Sequence, residues 1–449
     1  MNALLEKYAA TSVPRYTSYP TAPHFQSGFS AQKYKGWLES LDPSQPISLY
    51  LHVPYCKKIC WYCGCNMKLA ARYDPIAQYT DTLLREIDLI TDVLPAGMKI
   101  SHLHWGGGTP TALSPQDLER VMTKIFDKFS LSDDAELAIE SDPRTLTPEM
   151  SAKIGELGFT RASFGVQEFD PKVQAAINRI QPPDMVKSVV DDLRAAGVAS
   201  INFDLIYGLP FQTVESLQNT IDLCVEMLPD RIALFGYAHV PWMAKNQRLI
   251  DEDALPNSQA RLKQASAAAK KLEALGYQPI GLDHFARPND ILSRALKSGK
   301  IRRNFQGYTT DNAETIVGLG ATSIGRTPFG YIQNIAETGA WARAVEQGVL
   351  PIAKGCDLTP DDKLRAEIIE RIMCYGMVDL KAVTDAHNAP ENWCESNTGK
   401  LNSLSDDGLL EIDDGVLRLT QAGLPLSRVV AAAFDAYRTN NSGKHSLAI

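Results

Sequence analysis

A chain of 449 residues, 44% hydrophobic and 22% charged, has the composition of an ordinary globular protein. It is long enough for two domains, or for one large domain with appendages. A net charge of −8 argues against non-specific nucleic-acid binding. No run approaches the roughly 18 uncharged apolar residues of a membrane helix. The opening MNALLEKYAATSVPRYTSYP lacks the apolar core of a secretory signal. A reducing cytoplasmic location without disulfides is therefore expected.

The first forty or so residues read as a proline- and tyrosine-containing arm, assigned to residues 1–44. From about Ile47 to Leu275, short β-rich runs alternate with amphipathic helical stretches. The strands predicted are ISLYLHV (47–53), ISHLHW (100–105), AELAIES (135–141), TRASFGV (160–166), SINFDLI (200–206) and RIALFGY (231–237). Helices are expected over 76–93, 115–129 and 183–196. Ser114-Pro115 and Thr147-Pro148 supply capping hydroxyls followed by proline, and Gly158 and Gly197 sit where helices should stop. Six βα units in series imply a parallel sheet with right-handed crossovers. No dinucleotide fingerprint follows the first strand, which favours a barrel-like sheet. The catalytic unit is placed at 45–354.

From about Gly355 the character changes. LTPDDKLRAEIIERIMCYGM and LPLSRVVAAAFDAY read as helices, and LLEIDDGVLRLT as a hairpin turning at Asp414-Gly415. Residues 355–449 form a mostly helical, winged-helix-like unit. Asp406, Asp407, Asp413 and Asp414 crowd its wing, so a cover over the barrel mouth is expected rather than DNA binding.

Parallel barrels bind ligands at the carboxyl ends of their strands, and the informative residues fall there. Cys56, Cys60 and Cys63 follow the first strand with spacing C-x3-C-x2-C, and Cys65 stands close behind. Three thiolates on one loop can hold three irons of a cubane and leave the fourth open, as S-adenosylmethionine (SAM) cleavage requires. Zinc is the competing ligand, but no second Cys/His knuckle appears downstream. Cys224, Cys356, Cys374 and Cys394 are scattered and read as small apolar groups. Gly106-Gly107-Gly108-Thr109-Pro110 follows the second strand, where glycines allow close backbone approach; a tight turn explains such a run equally well. Glu140 ends the third strand, as a ribose partner or a helix-capping acid. Gln167 ends the fourth, and Asp204 lies in the fifth. A strand Asp needs a partner, and Arg179 is a candidate, with a helix-surface ion pair as its plainer reading.

The cysteine loop, with the glycine run one βα unit later, resembles the radical-SAM superfamily. Closer still, the chain resembles the oxygen-independent coproporphyrinogen III oxidases of haem biosynthesis. The matching segments run almost end to end: RYTSYPTA (15–22), CGCN (63–66), HWGGGTPT (104–111), GVQEFD (165–170), NRIQ (178–181), DLIYGLP (204–210), YAHVP (237–241), GLDHFARP (281–288) and NFQGYTT (304–310). The resemblance implies an α/β fold: a partial (β/α)6 radical-SAM barrel with an N-terminal arm and the helical C-terminal domain. It implies a 4Fe–4S cluster on Cys56, Cys60 and Cys63, and SAM at two sites. Tyr50, Gly107 and Glu140 match contacts to the cluster-bound SAM. Tyr62, Cys65, Gly108, Thr109, Gln167, Arg179, Asp204 and Ala238 match residues near the two cofactors, and Phe305, Gln306 and Ile324 lie in segments approaching them. Tyr50, Cys65 and Gln306 are the catalytic candidates.

The implied reaction is oxidative decarboxylation of two propionates of coproporphyrinogen III to vinyls, giving protoporphyrinogen IX. A 5′-deoxyadenosyl radical removes hydrogen from each propionate β-carbon. A flavodoxin-type electron donor, a monomeric state and no nucleic-acid or membrane partner go with that reading. Arg15, Arg287, Arg302 and Arg303 are candidate anchors for substrate carboxylates, each equally readable as a surface arginine. One rival is a haem-transfer chaperone of the same superfamily, in which Phe typically replaces Cys65 and the RYTSYPTA and NFQGYTT segments are missing. The other is a zinc-stabilised regulator with a winged-helix tail.

Overall fold

The structure, a computed structural model, describes residues 7, 8 and 11–438. The parts of the expected arm and C-terminal unit at 1–6, 9–10 and 439–449 lie outside the described residues. The six strands form where the β-rich runs place them: β1 (Ile47–Val53), β2 (Lys99–Gly107), β3 (Ser130–Ser141), β4 (Arg161–Gln167), β5 (Ser200–Tyr207) and β6 (Arg231–Gly236). Each pairs parallel with the next in chain order. Helices Asp74–Thr91, Pro115–Lys128, Pro148–Glu156, Pro183–Ala195 and Val214–Glu226 make the intervening crossovers.

The helix starts follow the capping chemistry. Ser114 accepts from the Asp117 N–H at 3.1 Å, and Thr147 from the Met150 N–H at 3.2 Å. Gly158 and Gly197 follow helix ends at φ +79° and +95°, a region that glycine enters without a Cβ clash. Trp105, Phe164 and Phe203 are buried where the strands meet these helices. The strand order stays open, so this is a partial barrel.

Both edges of the sheet extend beyond the six units, in a way the sequence reading omitted. Thr315–Leu319 adds a parallel strand beside β1, with Gly318 opposite Tyr50. Ile324–Thr327, Gly330–Asn334 and Ile352–Asp357 continue it antiparallel. Beyond β6 lie His284–Ala286 and Gln278–Ile280, also antiparallel. The N-terminal segment is more than an arm: Gln26–Ser27 pairs with Lys354–Gly355, and helix Ala31–Glu39 buries Tyr34, Trp37 and Leu38 in the barrel core.

The C-terminal unit has its own core, built on helix Pro360–Tyr375 and a three-stranded sheet. Its wing turns at Asp414 and Gly415, with φ of +47° and +77°, between Leu410–Asp413 and Val416–Leu419. The expected final helix breaks into three short turns, Leu424–Leu426, Ser427–Ala431 and Ala432–Phe434. They end where the Arg365 guanidinium takes the Phe434 carbonyl at 3.0 Å. Val13, Tyr16 and Tyr19 belong to this core. The arm thus runs between the C-terminal unit and the barrel. Among the described residues, no helix is long and apolar enough to cross a membrane.

Candidate active site

The cysteine loop leaves β1 and is held from three directions. The Asn246 amide donates to the carbonyls of Cys60, Trp61 and Cys63 at 3.1, 3.1 and 2.8 Å. The Gln247 amide bridges the carbonyls of Tyr62 and Ala238 at 2.8 and 3.1 Å, and Asn178 takes that of Ile59 at 2.8 Å. None of these three amides was singled out from the sequence, and only Asn178 lies in a quoted motif. They fix the backbone of a loop that lacks regular hydrogen bonding of its own.

Two guanidinium groups face the thiols. Arg144 and Arg179 each donate to Cys60 Sγ at 3.1 Å. Asp142 lies between them, 2.6 Å from Arg144 and 3.5 Å from Arg179. Burial pushes the Asp142 carboxyl up, but the two guanidiniums outweigh it and hold it below its ordinary value. The Cys65 N–H donates to Cys63 Sγ at 3.4 Å. Contact with Cys65 lowers Cys63 to about 7, against the burial that opposes it, with help from Arg179. Burial and the neighbouring thiols push Cys56 up to about 12 in the cluster-free chain. Arg179 therefore pairs with a carboxylate, as the sequence suggested; that carboxylate is Asp142, and Arg179 also meets Cys60.

Among the described residues, no group of three His, Cys, Asp or Glu side chains is drawn together to hold one metal ion. A cubane makes a different demand, one thiolate on each of three separate irons. Three thiols on one loop, with cations against one of them, fit such a cluster, because buried negative charge needs compensation.

Beside the loop, Tyr50, His104 and Glu140 share one side of the barrel. The Tyr50 and His104 rings stack at 5.9 Å, and His104 Nε2 lies 3.1 Å from Glu140 Oε1. The Tyr50 hydroxyl is 3.0 Å from His52 Nδ1, whose Nε2 reaches the Asn66 carbonyl at 3.4 Å. That carbonyl can only accept, so Nε2 carries the proton and Tyr50 donates to Nδ1. The glycine run answers to close approach. A Cβ at Gly106 would lie 2.9 Å from Glu140 Oε1 and 3.0 Å from the Tyr50 hydroxyl. One at Gly108 would meet the Tyr55 backbone at 2.8 Å. Gly107 is at φ +119°, and the buried Thr109 hydroxyl accepts from the Asp142 N–H at 3.2 Å.

Further round the barrel, Gln167 is held at φ +67°, a costly conformation for a non-glycine residue. Its Oε1 is buried without a hydrogen-bond partner, an acceptor left unspent beside the site. Asp204 accepts from Asn202 at 3.0 Å. Burial first, then the Glu140 charge, pushes its carboxyl up from 3.8 to about 7. Ionisation therefore costs the folded state: the stability from this group is full below about 4 and is lost as pH rises through about 7. Asp204→Asn should abolish that component. The melting temperature of the wild type relative to the variant should fall across this window and level off above it. A difference that stays constant with pH would refute the shift. Glu86 and Glu168, also pushed up to about 7 by burial, contribute equally to both proteins.

The remaining candidates come from outside the six units. Ile324 opens the strand after the turn above Gly318, beside Tyr50's neighbour on the sheet edge. Gln306 occupies the turn of hairpin Arg302–Thr309, where Phe305 packs on Tyr331 at 5.9 Å. Among the described residues, no hydrogen bond or ion pair joins Gln306 to the cysteine loop; its N–H donates to Asn304 Oδ1 at 2.8 Å. Of the carboxylate anchors, Arg302 is engaged by Glu370 at 2.9 Å. The Arg287 backbone N–H donates to the Asp230 carbonyl at 3.0 Å, which places Arg287 at the amino end of β6, away from the mouth. Arg15 and Arg303 do lie at the mouth.

An open barrel with three loop thiols after its first strand and a glycine run after its second defines a radical-SAM protein. The Radical SAM superfamily model matches residues 50–224, and the HemN C-terminal domain model matches residues 358–426. The chain belongs to the oxygen-independent coproporphyrinogen III oxidase family. It is 47% identical to the Bradyrhizobium diazoefficiens oxygen-independent coproporphyrinogen III oxidase, with 99% of each chain covered. It is 38% identical to the Helicobacter pylori protein of the same name, with 96% of each covered. The Escherichia coli coproporphyrinogen III oxidase, described as a radical SAM enzyme, superposes with a TM-score of 0.92 at 36% identity, covering 98% of this chain and 99% of that one.

Proposed function

We propose that this chain converts two propionate side chains of coproporphyrinogen III to vinyls, without oxygen and with consumption of SAM, yielding protoporphyrinogen IX. The carrying observation is the thiol loop braced by Arg144 and Arg179, opposite Tyr50, Glu140 and the glycine run, in a chain of this family over its full length. Cys56, Cys60 and Cys63 would hold the 4Fe–4S cluster. When bound, cluster and SAM supply one-electron cleavage and a carbon radical able to take hydrogen from the propionate β-carbon.

The protein's own part is placement and exclusion. Arg144 and Arg179 stabilise thiolate charge at Cys60. Tyr50, Gly107 and Glu140 line the position next to the cluster. Tyr62, Cys65, Gly108, Thr109, Gln167, Arg179, Asp204, Ala238 and Ile324 would bind the two SAM molecules around it, with Cys65 and Gln306 beside Tyr50 as the catalytic candidates. The arm and the C-terminal unit, as the domains 1–44 and 355–449 flanking the catalytic 45–354, cover the mouth and keep water from the radical. A flavodoxin-type donor, a monomeric state and a cytoplasmic location complete the reading. Anaerobic assay of cluster-reconstituted protein with SAM, coproporphyrinogen III and a chemical reductant should yield the divinyl product. Tight haem binding without decarboxylation would favour the chaperone reading instead.

A further inference from the structure

Four guanidinium groups converge at the carboxyl ends of β5 and β6, from four distant parts of the chain. Arg261 rises from helix Ser258–Ala274. It donates to the Tyr237 carbonyl at 2.8 Å and lies 5.7 Å from the Tyr207 ring centre. Arg15, on the arm, reaches the Gly236 carbonyl at 3.4 Å. Arg303 sits over the Tyr308 ring at 4.4 Å, and one of its nitrogens reaches the Arg15 carbonyl at 3.3 Å. Arg428, from the C-terminal unit, donates to the carbonyls of Pro14 and Val13.

Among the described residues, one carboxylate, Asp283, is paired with this group, 3.9 Å from Arg303. Its acidic form is suppressed: burial works against the charge, but the His284 contact and Arg303 hold it at about 2. Burial, together with Arg15 and Arg303, lowers Arg428 to about 10, the response of a cation crowded by like charges. Among the described residues, Arg15, Arg261 and Arg303 outnumber this one carboxylate, with Arg303 buried, a charge balance that a fold does not retain for stability alone. The donors are unspent as well. Arg303 is only 9% exposed, yet its Nε and Nη1 have no hydrogen-bond partner, nor has Nε of Arg261. Guanidinium donors left open in this way suit carboxylates taken two-pronged.

We infer that Arg15, Arg261, Arg303 and Arg428 form a carboxylate-anchoring site for the propionates of the substrate that are not reacting. The inference rests on the proposed tetracarboxylate substrate. It assigns what holds that molecule while one β-carbon faces the cofactor pocket. Because Arg303 and Arg428 also grip arm carbonyls, an anion at this site ties the arm to the barrel mouth.

The test is equilibrium binding of coproporphyrin III, the stable oxidised tetra-acid, to cluster-loaded protein, read by quenching of porphyrin fluorescence. Its tetramethyl ester serves as the uncharged control. Wild type should bind the acid at least about tenfold more tightly than the ester, an advantage of about 1.4 kcal/mol or more. Arg261→Met and Arg303→Met should each reduce that advantage severalfold, with the visible absorbance of the cluster retained as evidence of folding. Equal affinity of wild type for acid and ester would overturn the assignment without any variant being needed. So would folded variants that keep the full preference. Acid preference that follows these arginines, in protein that forms no vinyl product, would leave the anchor standing while the proposed reaction falls. Vinyl formation by wild type with no acid preference would do the reverse.

Discussion

Cys60→Ser should abolish the cluster and take vinyl formation to background. Cys60 is the most enclosed thiol of the three, 6% exposed, and both guanidiniums of the loop point at its sulfur. Serine lacks an accessible anionic form, so the third iron loses its ligand. Arg144 and Arg179, whose side chains are 2% and 6% exposed, then face an uncharged hydroxyl, which adds a desolvation cost to the lost bond. Cys56→Ser and Cys63→Ser should likewise lose iron. Cys65→Ser should behave differently: Cys65 is exposed and meets Cys63 through its side chain and its backbone N–H, and serine keeps the N–H and a hydroxyl donor. The variant should keep about four irons per chain and the visible absorbance of the cluster, while losing most turnover. Iron analysis of anaerobically purified protein separates the two classes. Iron retained in Cys60→Ser, or lost in Cys65→Ser, would show that the ligand set is misassigned.

How much of this was legible in the sequence depended on how local the determining signals are. The six strands and their helices were readable because each is a β-rich or amphipathic run bounded by its own caps, such as Ser114, Thr147, Gly158 and Gly197. The wing was readable because Asp414-Gly415 demands positive φ at both residues. The outer sheet edge was not. Ile352–Asp357 is short and half-exposed, and its pairing with Gln26–Ser27 spans most of the chain. The cysteine ligands stand in one loop and announce themselves by spacing. Arg144 stands three residues beyond the third strand, yet only the fold turns it onto Cys60, across 84 residues of chain. Arg261 and Arg428 gave no local signal, since an arginine on a helix is ordinarily a solvated one. What brings them together is the geometry of strand ends, which no window of sequence contains.

Deleting residues 1–24 should eliminate product formation, and the structure adds a stability cost that the sequence did not suggest. The arm as a sequence is a cover. In the fold, Val13, Tyr16 and Tyr19 are buried in the core of the C-terminal unit. The Tyr16 hydroxyl donates to Asp435 at 2.9 Å, and the Ala436 N–H donates to the Tyr19 hydroxyl at 2.9 Å. Each such side chain is worth about 1.5–3 kcal/mol of burial, so the truncated protein should melt at a lower temperature. The deletion also removes two backbone acceptors of the buried Arg428, the carbonyls of Val13 and Pro14. The thiol loop, by contrast, is braced by Asn178, Asn246, Gln247, Arg144 and Arg179, none of which hydrogen-bonds a described residue of the arm. Cluster content should therefore survive where the barrel remains folded. Turnover should not survive, because an uncovered mouth neither orients the propionate nor excludes water. Arg15→Ala is the milder companion: the arm keeps its buried contacts, so the melting temperature should stay near that of wild type while KM for the porphyrinogen rises. Near-normal product formation by the truncated protein, with its cluster intact, would show that the arm has no part in the reaction.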